Sequence, residues 1–264
     1  MRISLSARIV EGMTPRPTIE EFLSLASRTG YDGVGLRSWQ IPPEMDDDWV
    51  ASLDGLLRWS RLSVCSLVPP PVPPADWGRV VATARRLGVK VIQASDAVEE
   101  LSRKAKALDA DMRIGPQVHT GGSFEDVGSA AKALAQATDR RVGAIAEPGN
   151  FMLAGVAREP GFLAPLRGRI IGCYLQSVEV FDTDVAGTSR LTLRDGSVRY
   201  FRRVSLGENR QINLEVFLRE LREAGYDDFI NVLEPAQAGI TVEDLAADTA
   251  QALRQILGSA SRRA

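Results

Sequence analysis

Strand and helix patterns alternate from one end of the chain to the other. This predicts an α/β fold, a single (β/α)8 TIM barrel with a β-hairpin excursion after strand seven. Three observations carry the prediction. Eight strand-like apolar runs are each followed by a helix or helical turn. Runs such as Ile170-Ile171-Gly172-Cys173-Tyr174-Leu175 are continuously apolar, as strands covered on both faces of a parallel sheet must be. Four runs, Gly115–His119, Gly143–Glu147, Ile171–Gln176 and Ile230–Glu234, end in groups able to bind a metal or move a proton. In a parallel barrel, such strand ends converge on one site.

Taken in order, Ile3–Ile9 reads as the first strand. Thr18–Arg28 reads as a helix with Thr18 as cap and Glu21 at capping-box spacing. Gly30 ends that helix before the strand Gly33–Arg37; Asp46–Ser60 is helical and Leu62–Val68 extended. The run Pro69-Pro70-Pro71-Val72-Pro73-Pro74 continues neither a helix nor an interior strand, so it reads as a stiff rim loop or, alternatively, a proline-rich ligand. Asp76–Leu87, Ser95–Leu108 and Phe124–Thr138 read as helices between the strands Val89–Ala94, Met112–His119 and Val142–Glu147. Ile170–Gln176 and Phe229–Glu234 are the last strands; Asn213–Ala224 and Thr241–Leu257 are the last helices. Residues 1–258 form the expected barrel and 259–264 an expected frayed tail. Thr29-Gly30-Tyr31-Asp32 is echoed by Ala224-Gly225-Tyr226-Asp227 at an equivalent helix-to-strand joint, where glycine can take the left-handed conformation that closes a helix. The rhythm breaks between Val178 and Asn213. Asp195-Gly196 lies there between short alternating runs, a hairpin signal and a candidate contact surface between copies of the chain.

Composition narrows the function. With 264 residues, 44% hydrophobic and 25% charged, the chain has material for one ordinary globular core. A net charge of −2 argues against general attraction to nucleic acid or to anionic lipid. No apolar run approaches the ~20 residues that span a bilayer, and the run after Met1 is broken by Ser4, Ser6 and Arg8, so neither a membrane span nor a signal peptide is expected. Cys65 and Cys173 sit inside apolar runs and read as buried small hydrophobes rather than a disulfide. The expectation is a soluble cytoplasmic protein.

The chain resembles the xylose isomerase-like barrels grouped as sugar-phosphate isomerases and epimerases. The resemblance spans nearly the whole length. It rests on Gln117-Val118-His119, Glu147-Pro148-Gly149-Asn150, Cys173-Tyr174-Leu175-Gln176-Ser177, Leu206-Gly207-Glu208-Asn209 and Leu233-Glu234-Pro235, where that family commonly shows Glu-x-His, Asp-Pro-Gly-Asn, Val-His-x-Lys-Asp, Leu-Gly-x-Gly and a final glutamate. The resemblance implies a divalent metal (Mn, Mg, Co or Zn) held by four strand-end residues, two of them also moving a proton beside a carbonyl. Those four positions are Gln117, Glu147, Tyr174 and Glu234 here. Gln117 keeps an oxygen but is neither charged nor basic, and reads equally as a polar strand-end cap. Glu147 keeps the charge with a longer reach, as a ligand or a salt-bridge partner. Tyr174 is a poor ligand for a hard cation; it is either barrel core or a wall of the substrate pocket, and Gln176, two residues on, lies on the same strand face and can substitute.

The metal set implied is therefore Gln117, Glu147, Gln176 and Glu234. The catalytic candidates are Glu234, Glu147 and His119, the single histidine of the chain. Arg8, Arg37, Trp39, Gln93 and Tyr174 are the candidate substrate-binding residues, with Trp39 either a wall for a sugar ring or a rim aromatic covering core. Three readings stay open on the sequence. They are a metal-assisted sugar isomerase or epimerase, a metal-independent lyase or hydrolase built on His119, and a non-catalytic binder of a small carbohydrate.

Overall fold

The computed structural model describes residues 1–155 and 159–261. Eight parallel strands form one sheet: β1 Arg2–Ser6, β2 Gly33–Leu36, β3 Ser63–Leu67, β4 Val91–Gln93, β5 Arg113–Gly115, β6 Ala144–Ala146, β7 Ile170–Leu175 and, after an excursion, β11 Phe229–Val232. Their order is β5-β4-β3-β2-β1-β11-β7-β6. The two outer strands close on each other: Ile114 bridges Val142 and Gln117 bridges Ile145, both in parallel. Hydrogen bonds from Val118 N to Ile145 O (2.9 Å) and from Ile145 N to Pro116 O (2.9 Å) complete the seam, so the sheet is a (β/α)8 barrel.

The seam depends on one glycine. A Cβ on Gly115 would stand 1.8 Å from the Gly143 carbonyl oxygen, a backbone atom that cannot turn aside. Gly115→Ala is therefore expected to lose about 3 kcal/mol or more, at the upper end of overpacking costs. Urea unfolding measures this, and a loss below about 1 kcal/mol would show that the seam adjusts.

The helices are α1 Ile19–Arg28, α2 Asp47–Ser60, α3 Trp77–Arg86, α4 Val98–Ala105, α5 Val127–Leu134, α6 Pro148–Leu153, α7 Leu214–Glu223 and α8 Val242–Ser261. They bury their apolar stripes on the outside of the sheet, for example Phe22, Leu23 and Ala26 of α1 and Phe217, Leu218 and Leu221 of α7. The Thr18–Glu21 capping box forms as expected. The two echoed joints also share one geometry. Gly30 (φ 83°) and Gly225 (φ 91°) are left-handed, and Tyr31 N and Tyr226 N reach back to Ala26 O and Leu221 O at 3.0 and 2.9 Å.

Several elements are shorter than their hydrophobic runs. The first strand ends at Ser6, where the chain turns into a 3-10 segment, Ala7–Val10, because the Ser6 hydroxyl accepts from Arg8 N. The helices read as Ser95–Leu108 and Phe124–Thr138 contract to α4 and α5, the latter starting at its Asp126–Ser129 cap. Of the expected tail 259–264, helix α8 runs on through Ser261, and 262–264 lie outside the described residues. No helix among the described residues is long and apolar enough to cross a membrane.

The excursion after β7 is larger than a hairpin. It is a three-stranded antiparallel sheet of β8 Val178–Phe181, β9 Ser189–Thr192 and β10 Val198–Arg203, ordered β8-β10-β9. Its Asp195-Gly196 turn forms, with Ser197 N bonded to Asp195 Oδ1 at 2.8 Å. The turn docks on its own barrel: Arg194 N donates to Glu125 Oε1 (3.0 Å) and the Arg194 guanidinium to Gly122 O (3.4 Å) in the loop after β5. The small sheet thus reaches from the end of β7 to the loop after β5, across the C-terminal mouth where β6 ends.

Candidate active site

Inside the barrel, below the mouth, lies a polar layer. Ser4 Oγ donates to Asn231 Oδ1 (3.3 Å), Asn231 Nδ2 to Ser66 Oγ (3.4 Å), and Tyr174 OH to Gln93 Oε1 (2.7 Å). Tyr174 is buried and packs with Val91, Ile145, Ile171 and Leu233. Burial raises its phenol well above the ordinary range. This places Tyr174 in the barrel interior, bonded to Gln93, which is half-buried and also lines a cavity beside Pro69–Val72. Tyr174→Phe is expected to cost about 1–2 kcal/mol, the price of leaving Gln93 Oε1 without its donor, with little effect on turnover. A large loss of turnover at unchanged stability would place the ring against substrate instead.

Above that layer sit two buried carboxylates. Glu147 follows β6 and caps α6, as Pro148 at the first helical position favours. Its Oε1 accepts from Gly149 N (2.9 Å), and its Oε2 from Asn150 N (3.1 Å) and from the Asn150 side-chain amide. Burial pushes its carboxyl up to about 7, opposed by the N–H groups of Gly149, Asn150 and Gln176 and by the Gln117 amide. Glu234 follows β11. Its Oε1 accepts from Ser177 N at 2.5 Å, while Oε2 is buried with no partner. Burial pushes this carboxyl up to about 8; the Ser177 N–H opposes the rise, the charge of Glu147 adds to it, and Arg203 and Arg8 pull against it.

Three guanidiniums border this mouth; the charges of Arg203 and Arg8 act on Glu234, and that of Arg37 acts on Arg8. Arg8 follows β1, Arg37 follows β2 and Arg203 closes β10. Desolvation lowers Arg8 from its ordinary value, and the charges of Arg37 and Arg203 lower it further. Arg37 Nε lies 3.4 Å from Glu11 Oε1, close enough for an ion pair but without hydrogen-bond alignment. Trp39 and Gln40, in the turn after β2, each bury a side-chain N–H without an acceptor, as do Gln176 and Gln237. The Trp39 ring lies under the Arg16 guanidinium, 5.1 Å from its centroid.

His119 stands apart. It is exposed on the loop after β5, and its Nδ1 donates to the Thr120 carbonyl at 2.8 Å. No hydrogen bond or ion pair among the described residues joins it to either glutamate. Arg203, Ser177, Gln40 and Gln237 are site residues that sequence reasoning missed. Only the Glu147-Pro148 pair carried a local sign of its capping role.

The residues do not fit a divalent metal. Hard cations take several anionic oxygens, and among the described residues no three His, Cys, Asp or Glu side chains come together as a metal-binding group. Both Glu147 oxygens and one of Glu234 are committed to N–H donors, so Glu234 Oε2 is the one free carboxylate oxygen of the pair. Gln117 and Gln176 add no charge, and guanidiniums already act on Glu234.

No family model matches the sequence, and no curated protein matches it either. Solved structures do. A xylose isomerase domain protein from Alicyclobacillus acidocaldarius superposes with a TM-score of 0.72 at 17% identity, covering 99% of each chain. A D-psicose 3-epimerase from Clostridium cellulolyticum, solved with D-tagatose, gives 0.71 at 12% identity over 97% of this chain and 99% of that one. The IolI protein, solved with a bound zinc atom, gives 0.70 at 16% over 98% and 99%. By fold, then, the chain is similar to these TIM barrels. Identities this low show the fold and leave the chemistry to this chain's own residues.

Proposed function

We propose that the protein is a proton-transfer enzyme acting at the carbon beside a carbonyl of a small carbohydrate-like substrate, with Glu234 as the base. One observation carries the reading. Glu234 Oε2 is a buried, unpartnered carboxylate oxygen at the C-terminal mouth, where barrels of this kind place their chemistry. Its proton affinity, about 8, is that of a base usable near neutrality. In the step, Glu234 Oε2 takes the proton from carbon, the C–H electron pair moves into the new C=C bond, and the charge passes to the carbonyl oxygen. N–H donors of Arg8 hold that oxygen. The hydroxyl on that carbon passes its proton to the former carbonyl oxygen, Glu234 returns the carbon-bound proton to the former carbonyl carbon, and the product is an isomer; a single base works on one face of the carbon, so epimerisation is not expected of it. The Ser177 N–H fixes the Glu234 orientation, and the Glu147 cap holds the turn after β6 in place.

The test is carbon-bound deuterium incorporation, followed by NMR, into a panel of ketoses, their phosphates and keto acids in D2O. Exchange into at least one compound that disappears in Glu234→Gln supports the reading; exchange that persists in Glu234→Gln, or none with any compound, sinks it. Because the donor set does not fit a hard cation, added Mn, Mg, Co or Zn is expected to move the thermal midpoint by less than about 1 °C; ligand binding at 100 times Kd would add about 2.7 kcal/mol, several degrees. A larger shift abolished in Glu234→Gln would restore a metal role.

A further inference from the structure

The mouth carries an excess of donors that a neutral sugar does not explain. Among the described residues of the strand-end loops, buried side-chain N–H groups without an acceptor belong to Arg8, Arg37, Trp39, Gln40, Gln176 and Gln237; against them stands one buried side-chain acceptor without a donor, Glu234 Oε2. The Gln176 and Gln237 amides can turn over and accept. The guanidiniums and the indole can only donate, and Gln40 is fixed because its Oε1 accepts from Arg37 N at 3.1 Å. These residues follow β1, β2, β7 and β11, which are consecutive in the barrel. Arg203 adds a third positive charge from outside the barrel. It pairs with Val178 in the small sheet, one residue from the Ser177 N–H that holds Glu234, and its charge acts on both Arg8 and Glu234. Glu11, beside Arg37, is the one counter-ion at salt-bridge distance from any of the three among the described residues.

We propose that Arg8, Arg37 and Arg203 form an oxyanion site that takes an acidic group of the substrate, a carboxylate or a phosphate, and supplies the positive charge that a divalent ion supplies in barrels that bind one. The inference rests on the proton-transfer reading and names its substrate class: a carbonyl compound that is also an acid. Guanidiniums suit the role because their N–H groups match the paired oxygens of carboxylate and phosphate. The excursion sheet then has a function, to bring Arg203 to the mouth beside Arg8.

Calorimetric titration tests it, with inorganic phosphate, pyruvate and neutral D-fructose at constant ionic strength in chloride. Phosphate or pyruvate is expected to bind, with Kd rising at least tenfold in Arg203→Gln and in Arg8→Gln and unchanged in Arg85→Gln, whose exposed side chain in α3 pairs with Asp109. Which of the two anions binds decides between carboxylate and phosphate. Arg203 is exposed, so its variant is expected to fold even where Arg8→Gln does not. Binding of neither anion, binding indifferent to both arginines, or binding that needs an added divalent ion overturns the inference. The two proposals fail separately. Anion binding kept while deuterium exchange ignores Glu234 removes the base alone, and Glu234-dependent exchange on a neutral ketose without anion binding removes the oxyanion site alone.

Discussion

The thermal midpoint is expected to fall by several degrees between pH 5.5 and pH 8.5, and Glu234→Gln is expected to remove a large part of that fall. The sign follows from proton affinities in the two states. Unfolded, both glutamates release their protons near the ordinary value of 4.5; folded, Glu147 holds its proton to about 7 and Glu234 to about 8. Between those limits the folded state binds more protons than the unfolded one, so stability declines as pH rises. It is fully present below 4.5 and is lost progressively until both folded groups have ionised. Each unit of raised affinity corresponds to about 1.4 kcal/mol, and about 2–4 °C of midpoint accompanies each kcal/mol in a chain of this size. The net charge of −2 also grows more negative with pH and adds a general repulsion. The difference between the wild-type and Glu234→Gln curves isolates the glutamate. A wild-type midpoint flat or rising across this range, or parallel curves, would contradict the buried pair.

Glu234→Gln is also expected to lower kcat by about 10²–10⁴, the range that a positioned general base contributes. Glutamine keeps the size and the Ser177 contact but cannot take a proton. In the wild type, kcat/KM should climb with pH and level off above about 8, since the free enzyme must first ionise this carboxyl. Glu147→Gln should behave differently. Both oxygens of Glu147 cap α6, so its loss is expected mainly in stability, by about 1–2 kcal/mol, as helix caps cost. Stopped-flow or steady-state rates with denaturation curves for both variants separate base from cap. A larger rate loss in Glu147→Gln than in Glu234→Gln would reverse the two roles.

Much of the fold was legible because it follows from local rules. Apolar runs of strand length alternating with 3.6-period helices call for a parallel α/β sheet, and eight such units suit closure into a barrel. Gly30 and Gly225 announced the same left-handed turn and adopt it. Element ends were less legible, since a cap such as Asp126 or a turn such as Ala7–Val10 interrupts a run that composition alone would extend. In the site, Glu234 was legible as an acid at a strand end. That one of its oxygens would be held by Ser177, 57 positions away, and the other left free was not. Tyr174 shows the same limit: its partners Gln93 and Ser66 lie 81 and 108 positions away and draw its hydroxyl into the barrel.

The sequence by itself determined the order of strands and helices, the joints that glycine closes, and the presence of acids, amides and arginines after the strands. The tertiary structure decided which of those groups meet. It committed Glu147 to a helix cap, left Glu234 Oε2 without a partner, set His119 on an exposed loop, and folded the excursion back so that Arg203 joins Arg8 at the mouth. The reason is physical. Backbone preferences act over a few residues and are written in the local pattern. Burial, charge pairing and hydrogen-bond satisfaction depend on partners brought together by closure of the barrel, and those set whether a carboxylate caps, binds or accepts a proton.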